Sequence, residues 1–402
     1  MIDNPPSSPT VMWDICSHTT TEGTKMEQGT LLHVKVLGID HDEFLVNDAC
    51  ATAKYLREVW GFEEFAYADR STGREVTESR VLRQGSIIII LSQAIDDDSP
   101  VFNLIQKYGE CVHDIALLVD DVRREYETAL KLGAKSAAPI REFRDENDPE
   151  KIIMRHAAIR TSGHLVHTLI ERDNYPGIFA PGFVPVDYPL CCVPPVGLIE
   201  IDHEVINEER GHMDPCASFY KKIFGFHEIA RFTERQISTD KAALRSVVVR
   251  SENGAVTIPI NEPVKGKFGH IDEFLRDRRG PGIQHMAFRT DDIVETVGIL
   301  RARGVTFIDV PDTYYDLTPV RLKRAGLKIE IPQLLMDDLK RLRILIDGDE
   351  KGYLLQTFTT VILGSGAGLF FEIIERCGND GFGVGNFLAL FEAIERAAGR
   401  LK

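Results

Sequence analysis

The stretch "GIDHDEFLVNDACATAKYLREVWGFEEFAYADR", residues 38–70, decides the fold, because its pattern returns as "EIDHEVINEERGHMDPCASFYKKIFGFHEIARFT" at residues 200–233. Both stretches open on Ile-Asp-His, continue through a helix-like segment with an aromatic residue, and end through Gly-Phe. This order predicts a strand, a helix, a turn and a further strand in each copy. The repetition predicts a chain built from two related halves.

A second pair of segments extends the repeat. "GECVHDIALLVDDVRREYETALKLGAK" (residues 109–135) matches "GPGIQHMAFRTDDIVETVGILRARGVT" (residues 280–306). Each has a short apolar strand that holds one histidine, then Asp-Asp at a helix start, then a glycine, Gly133 or Gly304, at the helix end. The two halves therefore share a second strand–helix unit.

A third pair, "HLVHTLIER" (residues 164–172) and "GLFFEIIER" (residues 368–376), differs at one telling position. With Ile-Glu-Arg aligned, Thr168 stands where Glu372 stands in the second copy. The apolar run around Glu372 is typical of a strand covered on both faces, where an unpaired carboxylate is costly to bury. Glu372 therefore needs a cation, and either a metal ion or Arg376, four residues along the same strand face, would serve.

These repeats predict an α+β protein of two tandem halves, each of paired βαβββ units that curl into an open half-barrel. Residues 1–30, rich in Ser, Thr and Pro, form a disordered extension in this interpretation. The N-terminal half then covers residues 31–174, a Pro-rich linker covers residues 175–197, and the C-terminal half covers residues 198–402.

Composition narrows the classes of partner. The chain has 402 residues, of which 43% are hydrophobic and 27% charged, and its net charge of −15 argues against nucleic acid or an anionic membrane as a partner. Its seven cysteines are odd in number, scattered and without paired zinc-type spacing. With no apolar leader and no long uncharged apolar span, these features predict a reduced, cytoplasmic, soluble protein.

The aligned repeats place three candidate ligands in each half: His41, His113 and Thr168 in the first, and His203, His285 and Glu372 in the second. Only the second set has two imidazoles and a carboxylate. That donor set, with coordination positions left open, suits Fe(II) in an oxygenase. In the first half Thr168 is a poor metal ligand, so His41 and His113 are interpreted as structural.

Five motifs of the second half, "IDHEV", "GIQHMAF", "GYLLQTF", "LFFEIIER" and "GFGVGNFLALFEAIER", resemble in order and spacing those of 4-hydroxyphenylpyruvate dioxygenases, in the vicinal-oxygen-chelate superfamily. The resemblance runs from about residue 35 to residue 397. It implies two tandem vicinal-oxygen-chelate halves, of which the C-terminal one is catalytic. It also implies that an amphipathic helix at residues 384–400 closes the pocket as a lid.

The resemblance also implies site residues. His203, His285 and Glu372 would bind one Fe(II) per chain, and no catalytic residue is expected beyond them. The substrate-binding positions of the family fall on Ser246, Asn261, Gln284, Gln356, Phe358, Phe382, Asn386 and Phe387. Two further positions are possible pocket variants: Pro259, and His270, which stands where the family usually has glutamine.

The activity implied is Fe(II)-dependent conversion of 4-hydroxyphenylpyruvate and O2 to homogentisate and CO2 in tyrosine catabolism, by oxidative decarboxylation, ring hydroxylation and side-chain migration. The sister activity, 4-hydroxymandelate synthase, hydroxylates the benzylic carbon of the same substrate. Pro259, Asn261 and Phe387 have the form found in the dioxygenases and favour homogentisate.

Other interpretations stay open. His270 and the atypical segments at residues 316–335 and 359–368 leave room for a related arylpyruvate as substrate. An extradiol ring-cleaving dioxygenase or a non-catalytic binding protein would keep the same fold. The family also implies a homo-oligomer, a dimer or tetramer assembled through the N-terminal half.

Overall fold

The computed structural model describes residues 33–145, 148, 150–172, 175–187, 193–234, 243–364 and 366–387. The predicted extension at residues 1–30 lies outside the described residues, as does the predicted lid beyond residue 387. Within the lid segment, the structure describes a 3₁₀ turn at Val384–Asn386.

The first half forms one mixed sheet with helices packed against it. Its strands are β1 (Gly38–Leu45), β2 (Glu63–Ala68), β3 (Thr77–Gln84), β4 (Ile87–Ala94), β5 (Cys111–Leu118), β6 (Lys135–Arg144), β7 (Ile152–Arg160), β8 (Val166–Glu171) and β9 (Val184–Pro185). Its helices are α1 (Ala49–Tyr55), which runs on into a π-helical turn at Leu56–Trp60, α2 (Pro100–Tyr108) and α3 (Val122–Lys131), with a 3₁₀ turn at Arg70–Thr72. The strand order is β6-β7-β8-β5-β1-β4-β3-β2-β9.

The second half repeats this plan. Its strands are β10 (Leu198–Asn207), β11 (His227–Phe232), β12 (Leu244–Arg250), β13 (Thr257–Pro263), β14 (Gly282–Thr290), β15 (Leu345–Gly348), β16 (Tyr353–Phe358) and β17 (Phe370–Cys377). Its helices are α4 (Met213–Phe224), α5 (His270–Arg278), α6 (Ile293–Ala302), α7 (Asp312–Arg324) and α8 (Gln333–Leu342). The strand order is β11-β12-β13-β10-β14-β17-β16-β15.

The predicted βαβββ units are confirmed. In each half the first strands of the two units, β1 with β5 and β10 with β14, pair antiparallel at the centre of the sheet. Each of these first strands pairs in parallel with the last strand of its own unit, as β14 does with β17. The atypical segment at residues 316–335 adds most of α7 and the start of α8 between α6 and β15.

The Asp-Asp helix starts and the glycine helix ends take the predicted roles. Asp121 and Asp292 cap α3 and α6 by accepting hydrogen bonds from the backbone N–H groups of Arg124 (2.9 Å) and Glu295 (2.8 Å). Gly133, just past α3, has φ +98°, a left-handed conformation that favours glycine. Local sequence thus fixes where these helices begin and end.

The two halves share one apolar core. Trp60 of the first half packs edge-on against Phe371 of the second, with ring centroids 5.2 Å apart. Asp42 and Glu204 are fully buried, and burial raises the pKa of both, that of Glu204 to about 8. The two carboxyls lie close enough for their charges to repel, so Glu204 faces the first half and not the neighbouring predicted ligands.

Among the helices that the structure describes, none has both the length and the apolar character needed to span a membrane.

Candidate metal centre

Three central strands of the second half bring the predicted ligands onto one face of the sheet. His203 on β10 is paired with Ala287 on β14, and Ala287 is paired with Glu372 on β17. His285 lies two residues before Ala287, so it points to the same face. Ligands far apart in the chain therefore meet because of strand order and register.

The three side chains form a tight buried cluster. Glu372 Oε2 lies 3.3 Å from His203 Nε2 and 3.5 Å from His285 Nε2. One ligand atom from each residue lies within 4.8 Å of the others, and all three residues are buried. Within the described parts of the chain, no other group of three His, Cys, Asp or Glu side chains meets this criterion.

Charge is concentrated in this cluster. Burial alone would lower the pKa of His203, but the Glu372 carboxylate and Asp202 together raise it to about 9. Burial alone would raise the pKa of Glu372, yet the two imidazoles, His203 foremost, lower it. Burial lowers the pKa of His285. Glu372 is thus a buried carboxylate stabilised by positive charge at His203.

This donor set fits a divalent transition metal. His203 Nδ1 is 2.7 Å from Asp202 Oδ1, so Nδ1 carries the proton of the neutral ring and the Nε2 lone pair faces Glu372. A divalent cation within reach of both Nε2 atoms and the carboxylate would replace the positive charge on His203. Two imidazoles and one carboxylate with open positions is the pattern of non-haem Fe(II) oxygenases.

Arg376, the alternative cation for Glu372, instead pairs with Asp202. Arg376 Nε donates to Asp202 Oδ2 at 2.6 Å, and a second guanidinium nitrogen donates to Oδ1 at 2.7 Å. The guanidinium makes no ion pair with Glu372 among the described residues. The geometry therefore favours the metal interpretation for Glu372.

The first half shows that the predicted alignment of His113 with His285 was wrong by one residue. His41 is paired with Ala116 as His203 is with Ala287, so the counterpart of His285 is Asp114, two residues before Ala116. Thr168 donates hydrogen bonds from its N–H (2.9 Å) and its hydroxyl to Asp114. His113 lies on the opposite face of β5, because neighbouring strand residues alternate.

A small cavity of about 50 Å³ adjoins the metal ligands. Seven predicted substrate or variant positions line it together: Ser246, Pro259, Asn261, Gln356, Phe358, Phe382 and Phe387. Gln356 Oε1 is buried without a hydrogen-bond partner among the described residues, so it is available to a bound molecule. The cavity thus combines apolar rings with a few amide and hydroxyl groups.

Three other predicted positions lie elsewhere. Gln284 and His270 line a neighbouring cleft of about 390 Å³, which shares the Phe358 wall with the metal cavity. Asn386 is buried and accepts a hydrogen bond from the Tyr314 hydroxyl at 2.6 Å. The atypical segment at residues 359–368 lines the same cleft as His270.

Sequence reasoning missed several residues of the site. Val205, Phe232 and Val248 line the cavity as apolar walls. Phe370 stacks on His285, with ring centroids 4.7 Å apart and planes 18° from parallel. No sequence signal distinguishes these side chains from ordinary core residues.

The chain is similar to known proteins both in sequence and in structure. The family model described as the Glyoxalase/Bleomycin resistance protein/Dioxygenase superfamily matches residues 207–319. A 4-hydroxyphenylpyruvate dioxygenase of Coccidioides posadasii (strain C735) is 39% identical over 376 residues, covering 89% of this chain and 92% of the relative. One of Dictyostelium discoideum is 38% identical over 367 residues, covering 89% of this chain and 97% of the relative.

A solved structure gives the same fold. A triple mutant of 4-hydroxymandelate synthase from Streptomyces coelicolor superimposes with a TM-score of 0.78 at 30% identity, over 91% of this chain and 99% of that one. The likeness therefore covers both halves and is not confined to the half that contains His203, His285 and Glu372.

Proposed function

The chain belongs to the 4-hydroxyphenylpyruvate dioxygenase family, and from that premise we propose that it converts 4-hydroxyphenylpyruvate and O2 to homogentisate and CO2 with one Fe(II) per chain. Oxidative decarboxylation, ring hydroxylation and side-chain migration make up this reaction, and tyrosine catabolism is its place in metabolism. The buried cluster of His203, His285 and Glu372 is the observation that carries the proposal.

His203, His285 and Glu372 would hold the metal. When bound, Fe(II) supplies the one-electron chemistry that dioxygen requires and positive charge for an anionic 2-oxo acid. Both imidazoles are neutral as ligands, so the three protein donors bring a single negative charge. With a divalent metal bound, the centre would therefore keep a net positive charge, which attracts a substrate carboxylate.

The remaining residues of the cavity would bind and orient the substrate. Ser246 and Asn261 are directly paired across β12 and β13, which places a hydroxyl and an amide side by side. Gln356 adds a buried amide oxygen that can accept a hydrogen bond. These groups can orient a phenol or a keto acid without adding charge next to the metal.

Aromatic side chains would exclude water from the reacting centre. Phe382 packs edge-on against His203 (5.4 Å between centroids), and Phe358 packs edge-on against His285 (5.9 Å). Phe387 lines the same cavity. A dry cavity protects the substrate and the oxidant from side reactions with water.

Product identification tests the proposal. Iron-loaded protein is incubated with 4-hydroxyphenylpyruvate under O2, and the products are separated by chromatography. We expect homogentisate, and we expect none from a Glu372→Gln variant. Absence of turnover with any arylpyruvate would refute the proposal, and it would direct attention to a binding role or to ring cleavage of a catechol.

The second candidate is 4-hydroxymandelate synthesis. The supporting observation is the superposition on a 4-hydroxymandelate synthase variant, a protein of the same fold. Against it, Pro259, Asn261 and Phe387, the positions expected to separate the two activities, all line the cavity in their dioxygenase form. 4-Hydroxymandelate as the main product would establish this second activity.

Assembly and location complete the proposal. A dimer or tetramer formed through the N-terminal half would give that half a role, since within its described residues it has no three-ligand cluster. A cytoplasmic location agrees with the composition. Gel filtration of the purified protein tests the assembly, and a monomer would contradict it.

A further inference from the structure

The metal ligand His203 stands at the end of a chain of buried hydrogen bonds. Arg376 donates to both oxygens of Asp202 (2.6 and 2.7 Å), and Asp202 Oδ1 in turn lies 2.7 Å from His203 Nδ1. The three side chains are 14%, 9% and 5% exposed, so water competes little for these contacts. These hydrogen bonds therefore connect the Arg376 guanidinium to His203 through the Asp202 carboxylate.

Such a carboxylate has a defined effect on a metal-binding imidazole. By accepting the Nδ1 proton it fixes the tautomer, turns the Nε2 lone pair toward the metal and makes the ring more basic. Asp202 can do so only if its own orientation is fixed. The bidentate contact with Arg376 fixes it, because two parallel N–H···O bonds define the plane of the carboxylate.

Arg376 also positions the cavity wall. Another guanidinium nitrogen donates to the carbonyl oxygens of Asn379 (3.1 Å) and Gly381 (2.8 Å). The guanidinium carbon lies 5.7 Å from the centroid of Phe382, whose edge contacts the His203 ring. Arg376 thus holds His203 from two directions, through Asp202 and through the loop that carries Phe382.

The first half contains the same four-residue unit. Arg172 donates to Asp40 Oδ1 at 2.6 Å, and that oxygen is 2.6 Å from His41 Nδ1. The Arg172 guanidinium lies 4.8 Å from the centroid of Phe179, whose edge packs on His41 (5.3 Å). Here the unit supports an imidazole whose neighbours, Asp114 and Thr168, do not complete a ligand set.

We propose that Arg376 is a positioning residue of the metal centre, which acts through Asp202 on the tautomer and orientation of His203 and through Phe382 on the cavity wall. The Ile-Asp-His and Ile-Glu-Arg sequences that mark both halves contain the Asp, His and Arg of this unit. The inference rests on the metal centre of the proposed function, but it does not depend on which product is formed.

Metal affinity tests the inference separately from catalysis. Metal-free protein is titrated anaerobically with Co(II), whose absorption spectrum reports coordination geometry. For Arg376→Gln we expect Co(II) affinity to fall by about 10- to 100-fold, the range for loss of an outer hydrogen-bond partner. We also expect an altered Co(II) spectrum, because the His203 ring is no longer held in one orientation.

Arg172→Gln is the matched control, because it removes the corresponding Arg–Asp contact, a single hydrogen bond to Asp40, from the half that lacks the ligand set. We expect its Co(II) affinity to stay within about twofold of the unsubstituted protein. Asp202→Asn provides a second variant should Arg376→Gln fail to fold. An asparagine oxygen still accepts the Nδ1 proton but has no charge for Arg376, so we expect a smaller loss of affinity and an altered spectrum.

The outcomes separate this inference from the proposed function. If the unsubstituted protein binds no Co(II), the metal centre itself is refuted. If it binds Co(II), and Arg376→Gln and Asp202→Asn bind it with unchanged affinity and spectrum, the positioning role is refuted while the centre stands. Equal loss of affinity in Arg172→Gln and Arg376→Gln would also refute it, because the effect would then come from general destabilisation.

Discussion

At the scale of single residues, Glu372 and Arg376 lie on one strand of the second half and have different partners. Glu372 lies within 3.5 Å of two imidazole nitrogens, whereas Arg376 is committed to Asp202. A buried carboxylate next to a buried guanidinium would ordinarily pair with it. Here the guanidinium has another carboxylate, and Glu372 instead faces His203 and His285, a donor set that fits a metal ion.

Glu372→Gln should remove metal binding while keeping the shape of the side chain. A neutral amide is a much weaker ligand, so we expect metal affinity to fall by at least the roughly 100-fold that loss of an outer partner can cost. Anaerobic Co(II) titration measures it. Glu375→Gln is the control, because Glu375 caps Ile293 N–H at 2.9 Å and its amide would still accept that bond. Equal affinities of the two variants would contradict the assignment.

At the scale of secondary-structure elements, β5 and β8 of the first half are the counterparts of β14 and β17, but they have other residues at the two predicted ligand positions. Asp114 and Thr168 occupy the places of His285 and Glu372 and bond to each other. A cavity of about 50 Å³, equal in size to that at the metal centre, lies beside them. The first half therefore keeps the geometry of the site while lacking two of its three donors.

This equivalence can be tested by building a second site. We expect Asp114→His together with Thr168→Glu to complete a ligand set with His41, so that the chain binds two Co(II) ions. Thr168→Glu together with Asp114→Ala should leave the stoichiometry at one, because His113 faces away. Two ions bound by this control variant would show that His113, and not Asp114, is the counterpart of His285.

Asp114 also gives the first half a pH-dependent stability. Burial raises its pKa to about 7, although hydrogen bonds from Thr168 oppose the rise. In the unfolded chain the pKa is about 3.9, so folding favours the protonated form. The stabilisation is complete below the unfolded pKa and is lost as pH rises through about 7.

Asp114→Asn should remove this dependence, since the amide does not ionise. We expect the melting temperature of the unsubstituted protein to fall relative to that of the variant between pH 5 and pH 8. Thermal unfolding followed by circular dichroism at several pH values measures the difference. Parallel curves for the two proteins would mean that Asp114 does not titrate in this range.

At the scale of the whole molecule, the repeat made most of the fold predictable. Strand–helix units, the Asp helix caps and the metal triad all followed from comparing one half with the other. The alignment failed where a one-residue slip exchanges the two faces of a strand, as at His113 and Asp114. The pairing of His41 with Ala116 resolves that slip. The Asp-Asp and glycine positions of the two segments give the same register, with Asp114 opposite His285.

Other features depend on packing that no local pattern encodes. Gln284 directly precedes His285 on β14. Because neighbouring strand residues alternate in direction, its side chain points into the neighbouring cleft with His270. The contact of Asn386 with Tyr314 joins residues 72 positions apart. Asp202 and Arg376 could have been found, because Ile-Asp-His and Ile-Glu-Arg occur in both halves, but their pairing needed the sheet order.

We propose that the C-terminal half binds Fe(II) and acts on an arylpyruvate. The most direct measurement is the product formed from 4-hydroxyphenylpyruvate and O2 by protein reconstituted anaerobically with one equivalent of Fe(II), identified by chromatography and mass spectrometry. We expect homogentisate with one CO2 released per substrate, and we expect the product to be lost in Glu372→Gln but not in Glu375→Gln. No iron bound after reconstitution, or iron bound with no substrate consumed, would contradict it.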